Sequence, residues 1–438
     1  MSEFSPDLLS YRDQAMSQSM PYFAVVDQIS EYNTKRLLQV FRESQVSDYH
    51  FRATTGYGYG DAGRDKLDEV WAKICGAEKA LVRSHFVSGT HALASVLFGI
   101  LRPGDELLSV TGAPYDTMQT VIGAASPAVG SLKEYGIHYN EIPLVNDQVD
   151  YEAIKNTITE RTKVVLIQRS RGYSMRHPLQ ITEIAELCAY IKEIKSDCIC
   201  FVDNCYGEFV DTKEPTAVGA DIMAGSLIKN PGGGIAPAGG YVAGRADLVE
   251  LAACRLTAPG IGSHVGATLS DNRLLFQGLF LAPHIVAQSI KGAIFAAALF
   301  SLLGYETTPS FDEKRSDIIQ AIQLGSPEKM VAFCQGLQTY SPVDAFVRPE
   351  PSDMPGYSDA VIMAGGTFVQ GSSIELSADG PLRAPYSIYL QGGLTFEHAV
   401  LGVMGAASAI LDKKQLNSLH IYCKALYSTG KKLILSNE

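Results

Sequence analysis

Residues 198–204 read Cys-Ile-Cys-Phe-Val-Asp-Asn, and most of the architecture follows from them. The run Cys198–Val202 is apolar throughout, without the alternation of a strand that has one wet face. Such a strand is covered on both sides, as in a parallel sheet with helices above and below. The flanks agree. A strand at Lys163–Ile167 and a helical period at Ile181–Ile194 precede it, and strands at Ile222–Ser226 and Gly240–Ala243 follow on either side of a glycine-rich turn. Further upstream, Lys66–Cys75 is amphipathic and ends at Gly76. Lys79–Val82 and Glu106–Val110 read as strands, Gly89–Leu101 as an apolar helix stopped by Pro103-Gly104, and Thr117–Ala125 as a helix. The chain opens with a helical stretch over residues 5–45, in which Ser5 caps and Pro6 takes the first helical position. After a long apolar helix near 279–303 the pattern changes: residues 310–375 mix helix with short strands, and Ala399–Leu411 and Gln415–Tyr427 read as terminal helices. The expected fold is α/β, a large domain with a mostly parallel sheet plus a smaller α+β C-terminal domain. The expected division is an N-terminal helical arm at 1–50, a large domain at 51–290 and a small one at 291–438.

The 438 residues carry 36 basic and 47 acidic side chains, a net charge of −11. That balance repels phosphate polyanions and anionic lipid, so neither nucleic acid nor membrane is an expected partner. A hydrophobic content of 46% with 19% charged residues excludes a disordered chain. Met1–Tyr22 lacks the apolar centre of a secretory signal. Leu279–Leu303 is broken by His284, Gln288 and Lys291, and its clean part, Gly292–Leu303, is shorter than the roughly 20 residues a bilayer requires. It therefore reads as a buried helix. The eight cysteines have no C-x-x-C spacing and read as reduced, packed side chains of a cytoplasmic protein.

Four segments bear on chemistry. Gly58–Gly63 fits G-x-G-x-x-G, but the polar, irregular Asp48–Thr55 before it is not the apolar strand a dinucleotide site needs, and the nucleotide reading is rejected. Ser88-Gly89-Thr90 stands just before an apolar helix, where free N–H groups and the helix dipole suit a phosphate; ordinary capping explains the same residues. Asp203, at the end of the most apolar strand, is either a turn residue or a buried carboxylate with a cationic partner. Lys229 lies between Ser226 and Gly232-Gly233-Gly234 without a carboxylate in its own segment. It is either a surface lysine or one of lowered pKa that attacks carbonyl carbon. Taken together, these are the parts that pyridoxal 5'-phosphate requires: a helix N-terminus for its phosphate, an aspartate for its ring nitrogen and a lysine for its aldehyde.

With those residues in view, the chain resembles the fold-type-I pyridoxal-phosphate enzymes of the cystathionine/methionine lyase group, and within it the aluminium-resistance or methionine γ-lyase-like branch. The likeness runs through YGYGDAGRDKLDEVWAKICGAEKALVRSHFVSGTHAL, LRPGDELLSVTGAPYDT, VDNCYGEF, GSLIKNPGGGIAPAGGYVAGR and SSIELSADGPLRAPY. The resemblance implies that Lys229 holds the cofactor and then removes the substrate α-proton, and that Asp203 pairs with the pyridine nitrogen. Ser88, Gly89, Thr90 and Ser226 would hold the phosphate. Tyr115 would stack on the ring and protonate the leaving group. Tyr57 or Tyr59, with Arg64, would reach a neighbouring subunit's phosphate, which implies a homodimer or homotetramer. Arg383 would grip the substrate carboxylate, unless it serves a structural ion pair. Gln168-Arg169-Ser170-Arg171-Gly172 replaces the family's Asn-Pro segment, leaving Arg169 or Arg171 to contact the ring hydroxyl or a second acidic group.

The implied activity is a carbon–sulfur lyase acting on a sulfur-containing amino acid by β- or γ-elimination, with release of thiol, ammonia and 2-oxo acid. The alternatives are a transferase on the same cofactor, by γ-replacement or transamination, and a cofactor-binding protein with a regulatory or metal-tolerance role. His85 and His91, beside the phosphate segment, read as packing or ring-stacking residues.

Overall fold

The computed structural model describes residues 4–124, 128–269, 272–354 and 357–411. In chain order the elements are α1 (Pro6–Glu43), α2 (Ala62–Cys75), β1 (Lys79–Arg83), α3 (Gly89–Ile100), β2 (Glu106–Ser109), α4 (Asp116–Ile122), β3 (His138–Glu141) and α5 (Tyr151–Thr157). Then come β4 (Thr162–Gln168), α6 (Ile181–Ile194), β5 (Ile199–Asp203), β6 (Ile222–Ser226), β7 (Gly240–Gly244), α7 (Ala246–Leu256) and α8 (Asn272–Leu302). The last part holds β8 (Glu306–Thr308), β9 (Gln320–Gln323), α9 (Pro327–Gln338), β10 (Val361–Ala364), β11 (Ser377–Pro381), β12 (Ser387–Gln391) and α10 (Phe396–Ile410). The helix expected at Gln415–Tyr427 lies outside the described residues.

The large sheet has the order β1-β7-β6-β5-β4-β2-β3. Every pairing from β6 to β3 is parallel; β7 runs antiparallel to both β6 and β1. All of β5 is buried, as its apolar run requires. Leu107, Val164, Leu166 and Phe201 face a core with α3 and α7, while Val165, Ile167 and Val202 face one with α2, α6 and α8. Burying each such side chain contributes about 1.5–3 kcal/mol. The five-stranded second sheet, β10-β11-β12-β9-β8, is antiparallel. Ala378, Ile388, Leu390 and Ile322 on one of its faces pack with α9 and α10. Tyr389 and Ala321 on the other meet Tyr173, Met175 and Tyr206 of the large domain.

The apolar stretch of α8 is long enough to cross a bilayer, but 78% of it is buried in the fold. Up to Ile294 the helix feeds the large-domain core, and from Phe295 the small-domain core. On the arm, α1 is held against the large domain by Asn33, whose Nδ2 donates to Phe209 O at 3.2 Å and Asp211 O at 3.0 Å. The described cysteines are free and all but Cys254 are buried; Cys423 lies outside the described residues.

Candidate active site

The parallel register brings three strand ends to one edge. Gln168 closes β4 opposite Asp203, which closes β5 beside Ala224 of β6, two residues before Ser226. Above that edge stands the N-terminus of α3. Ser88 caps it, its Oγ accepting from His91 N at 3.1 Å, which leaves the first N–H groups of the helix free of side-chain caps. Gly89 is buried there: a Cβ would stand 3.1 Å from Ser226 Cβ and 3.4 Å from Cys205 Sγ. A glycine at this position lets the N-terminus of α3 pack directly on Ser226 and Cys205, so its free N–H groups stand beside Ser226, donors of the kind that suit a phosphate. Ser88, Gly89, Thr90 and Ser226 are therefore neighbours, although far apart in the chain.

Tyr115 joins the same group. Its hydroxyl is 2.9 Å from Thr90 Oγ1, and its N–H donates to Gln168 Oε1 at 2.9 Å, so Gln168 sets the aromatic's position. Burial, with Asp203 and Cys205 nearby, raises the Tyr115 phenol well above its ordinary value. It stays protonated and able to donate. The Asp203 carboxyl is raised by burial, an effect partly offset by Lys229, and its Oδ1 accepts from Cys205 N at 3.1 Å. Lys229 is thus a nearby cation whose charge offsets burial at Asp203, without an ion pair between the two.

Lys229 itself corrects one expectation. Burial pulls its ammonium down, but Cys205, Tyr206 and Asp203 outweigh burial and hold it well above the usual lysine range. The acidic groups come from other segments, which is why residues 225–234 alone suggested the opposite. Its Nζ lies 3.8 Å from the centroid of the Tyr206 ring.

The outer residues sit differently. Arg171 is buried and lines a cleft of about 380 Å³ with Tyr115, Gln168, Tyr173, Arg176 and Arg383. Its Nη1 donates to Thr308 O at 2.7 Å, whereas Nε and Nη2 are buried without a partner among the described residues. Arg383 is exposed on the cleft's rim, 3.1 Å from Asp359 and 3.9 Å from Asp116. Tyr57 and Tyr59 are 75% and 72% exposed and pack on each other, turned outward from their own chain. Arg64 is buried within its own chain. Its guanidinium is spent on Gly58 O at 2.8 Å, Gly266 O at 3.1 Å and Asp65 at 2.8 Å, shaping the loop that carries both tyrosines. The glycine-rich 58–63 segment is a turn that leads into the first residues of α2, and in it Gly58, at φ +64, lies against the Ala267 backbone. His91 packs edge-on to Phe86 with ring centroids 5.5 Å apart.

Beneath the site lies a polar network that no motif announced. Arg169 Nη1 donates to Asn204 Oδ1 at 2.8 Å, Asn204 Nδ2 to Glu214 at 2.9 Å, and Tyr241 Oη to Glu208 Oε1 at 2.7 Å. Arg169 is thereby a support below β5. Burial pushes the Glu208 carboxyl up to about 8. The folded chain then keeps a proton that the unfolded chain gives up above about 4.5, so stability falls as pH rises from there toward 8. Glu208→Gln does not titrate and is expected to flatten that part of the profile. Melting temperatures of both proteins across the window check this; parallel profiles would assign the slope to another group.

The model of the methionine gamma-lyase family matches residues 8–411, nearly the whole chain. The chain belongs to that family. Within it, the YnbB protein of Bacillus subtilis is 51% identical over 391 residues, covering 89% of this chain and 93% of YnbB. The carbon-sulfur lyase of Clostridium novyi involved in aluminium resistance superposes with a TM-score of 0.90 at 51% identity, over 93% of this chain and 97% of that one. The fold is also shared more widely. The pyridoxal-5'-phosphate-dependent protein YhfS of Escherichia coli aligns with a TM-score of 0.59 at 17% identity, over 87% of this chain and 97% of YhfS.

Proposed function

We propose that this chain is a pyridoxal-phosphate-dependent carbon–sulfur lyase acting on a sulfur-containing amino acid. The observation that carries the reading is the convergence of the α3 N-terminus at Gly89, Asp203 and Lys229 at one edge of the sheet. Backbone N–H groups of Gly89 and Thr90, with the Ser226 hydroxyl, fit a phosphate; Asp203 fits a protonated ring nitrogen, and Lys229 an aldehyde. When bound, the cofactor supplies an electron sink for negative charge at the substrate α-carbon.

The remaining work belongs to the chain. Lys229 Nζ takes the α-proton, and the buried charge of Asp203 favours a proton on the ring nitrogen. The Tyr115 phenol stacks over the site and donates its proton to the departing sulfur. Arg383, Arg171 or both bind the substrate carboxylate, with Arg171 bringing buried donors that lack a partner among the described residues. Water then completes the balance: one amino acid and one water give thiol, ammonia and a 2-oxo acid.

The large domain, about 51–290, carries the cofactor in this proposal; 1–50 is the arm, and 291–438 is the small domain, whose described part walls the substrate side. The exposed Tyr57 and Tyr59, packed on each other, form an apolar patch that their own chain leaves uncovered. A second copy seated there brings one of the two tyrosines to the neighbouring phosphate, giving a homodimer or, with two dimers paired, a homotetramer, with the buried, free cysteines of a cytoplasmic protein. The test is 2-oxo acid release by the purified, cofactor-supplied protein from cystathionine, methionine, cysteine and homocysteine. Pyruvate indicates β-elimination and 2-oxobutyrate γ-elimination; release from none of them overturns the lyase reading for these substrates.

A further inference from the structure

Opposite Lys229, the small domain presents a carboxylate for which the proposed reaction has no use. Asp379 stands on the face of β11 that looks toward the large domain, paired across strands with Tyr389 of β12. It accepts from Gln391 Nε2 at 3.2 Å and from the Tyr173 hydroxyl. Aromatic rings surround it. Tyr173 packs on Tyr389 at 5.2 Å between centroids and on Tyr357 at 5.9 Å, while the Tyr206 hydroxyl lies 3.5 Å from Ser373 Oγ. Lys229 Nζ sits over the Tyr206 ring and within electrostatic reach of Asp379.

The Tyr206 face of this wall therefore already accommodates one primary ammonium, that of Lys229. A ring face and a poorly solvated carboxylate both favour such a group over water or an anion. Once Nζ is bonded to the cofactor, it no longer serves them as a free ammonium, and both remain beside the reacting atoms. We propose that Asp379, backed by the Tyr206 ring, receives an ammonium group of the incoming amino acid. The inference rests on the cofactor reading above. It makes Asp379 a specificity residue that selects amino acids over acids of the same length without nitrogen. The ammonium is either the α-amino group or, in a diamino substrate, the distal one.

The test uses cofactor-loaded protein and ligands without a leaving group, so that binding is read apart from turnover. Calorimetry gives Kd for norleucine, lysine and hexanoate with wild type and Asp379→Asn. A lost charge-assisted contact weakens binding by about ten- to a hundredfold. Loss for both norleucine and lysine, with hexanoate unchanged, supports the α-amino group; loss for lysine alone supports the distal one. Equal change for hexanoate, or no change for either amine, overturns the proposal. Melting temperature and bound-cofactor absorbance establish that the variant is folded and loaded, and Asp379→Glu is expected to restore part of the selectivity. Should Asp379→Asn fail to load, Tyr206→Leu takes its place. It is expected to weaken the amines severalfold relative to hexanoate, and an unchanged ratio overturns the proposal. Failure of wild type to take up cofactor at all would instead sink the reading of the preceding section.

Discussion

Replacing Lys229 with alanine is expected to abolish 2-oxo acid formation while leaving the fold intact. The side chain carries two jobs, holding the cofactor and moving the α-proton, and proton transfer alone is worth about 10²–10⁴-fold. Lys229 is only partly buried and its Nζ makes a contact with the Tyr206 face rather than a structural ion pair, so truncation opens little of the core. The expected result is a rate reduced by at least about 10³-fold with a nearly unchanged melting temperature. Turnover within tenfold of wild type would remove Lys229 from the mechanism. A collapse of the melting temperature would mean that the residue is structural.

Asp203→Asn is the second large effect. Asparagine keeps the shape and an oxygen for the Cys205 N–H but removes the charge. That carboxylate is raised by burial and held ionised in part by Lys229, so its charge is placed at a cost in a poorly solvated site. Losing an oriented charge of this kind typically lowers kcat by about 10²–10³-fold. The expected variant binds cofactor through Lys229, melts near wild type and turns over about 10²–10³-fold more slowly, with little change in KM. A kcat close to wild type would show that Asp203 does not assist the reaction.

Much of the large domain was legible because its signals are local. The unbroken apolar run at 198–202 announces a strand buried on both faces, and the observed strand is shifted by one residue, to Ile199–Asp203. The helix at Ile181–Ile194 and the strand at Ile222–Ser226 have their expected bounds. The edge strand His138–Glu141 escaped notice because it is mostly exposed and polar, so neither apolar run nor clean alternation marks it. The small domain's strands are short, and Ser377–Pro381 contains a glycine and a proline that read as turn residues.

The site divides in the same way. Gly89, Asp203, Ser226 and Lys229 each follow or cap a recognisable element, so their order along the chain pointed to one sheet edge. Asp379 and Tyr206 carried no such sign. Asp379 acquires its setting only when β11 pairs with β12 and the small sheet packs against Tyr173 and Tyr206. Cys205 reads as a packing residue in sequence and is found with its thiol beside Gly89 at the N-terminus of α3. At Arg64 the resemblance located the loop, while the carbonyls that the guanidinium bonds within its own chain come from residues distant in sequence as well as near and carry no local sign.

The central claim is that one lysine of this chain holds the cofactor at the edge where Asp203 and Gly89 meet. Borohydride reduction of the cofactor-loaded protein, followed by proteolysis and peptide mass analysis, tests it directly. The account predicts that the added mass falls on the peptide containing Lys229 and disappears in the Lys229→Ala protein. The same mass on a different lysine, or on none, would contradict it.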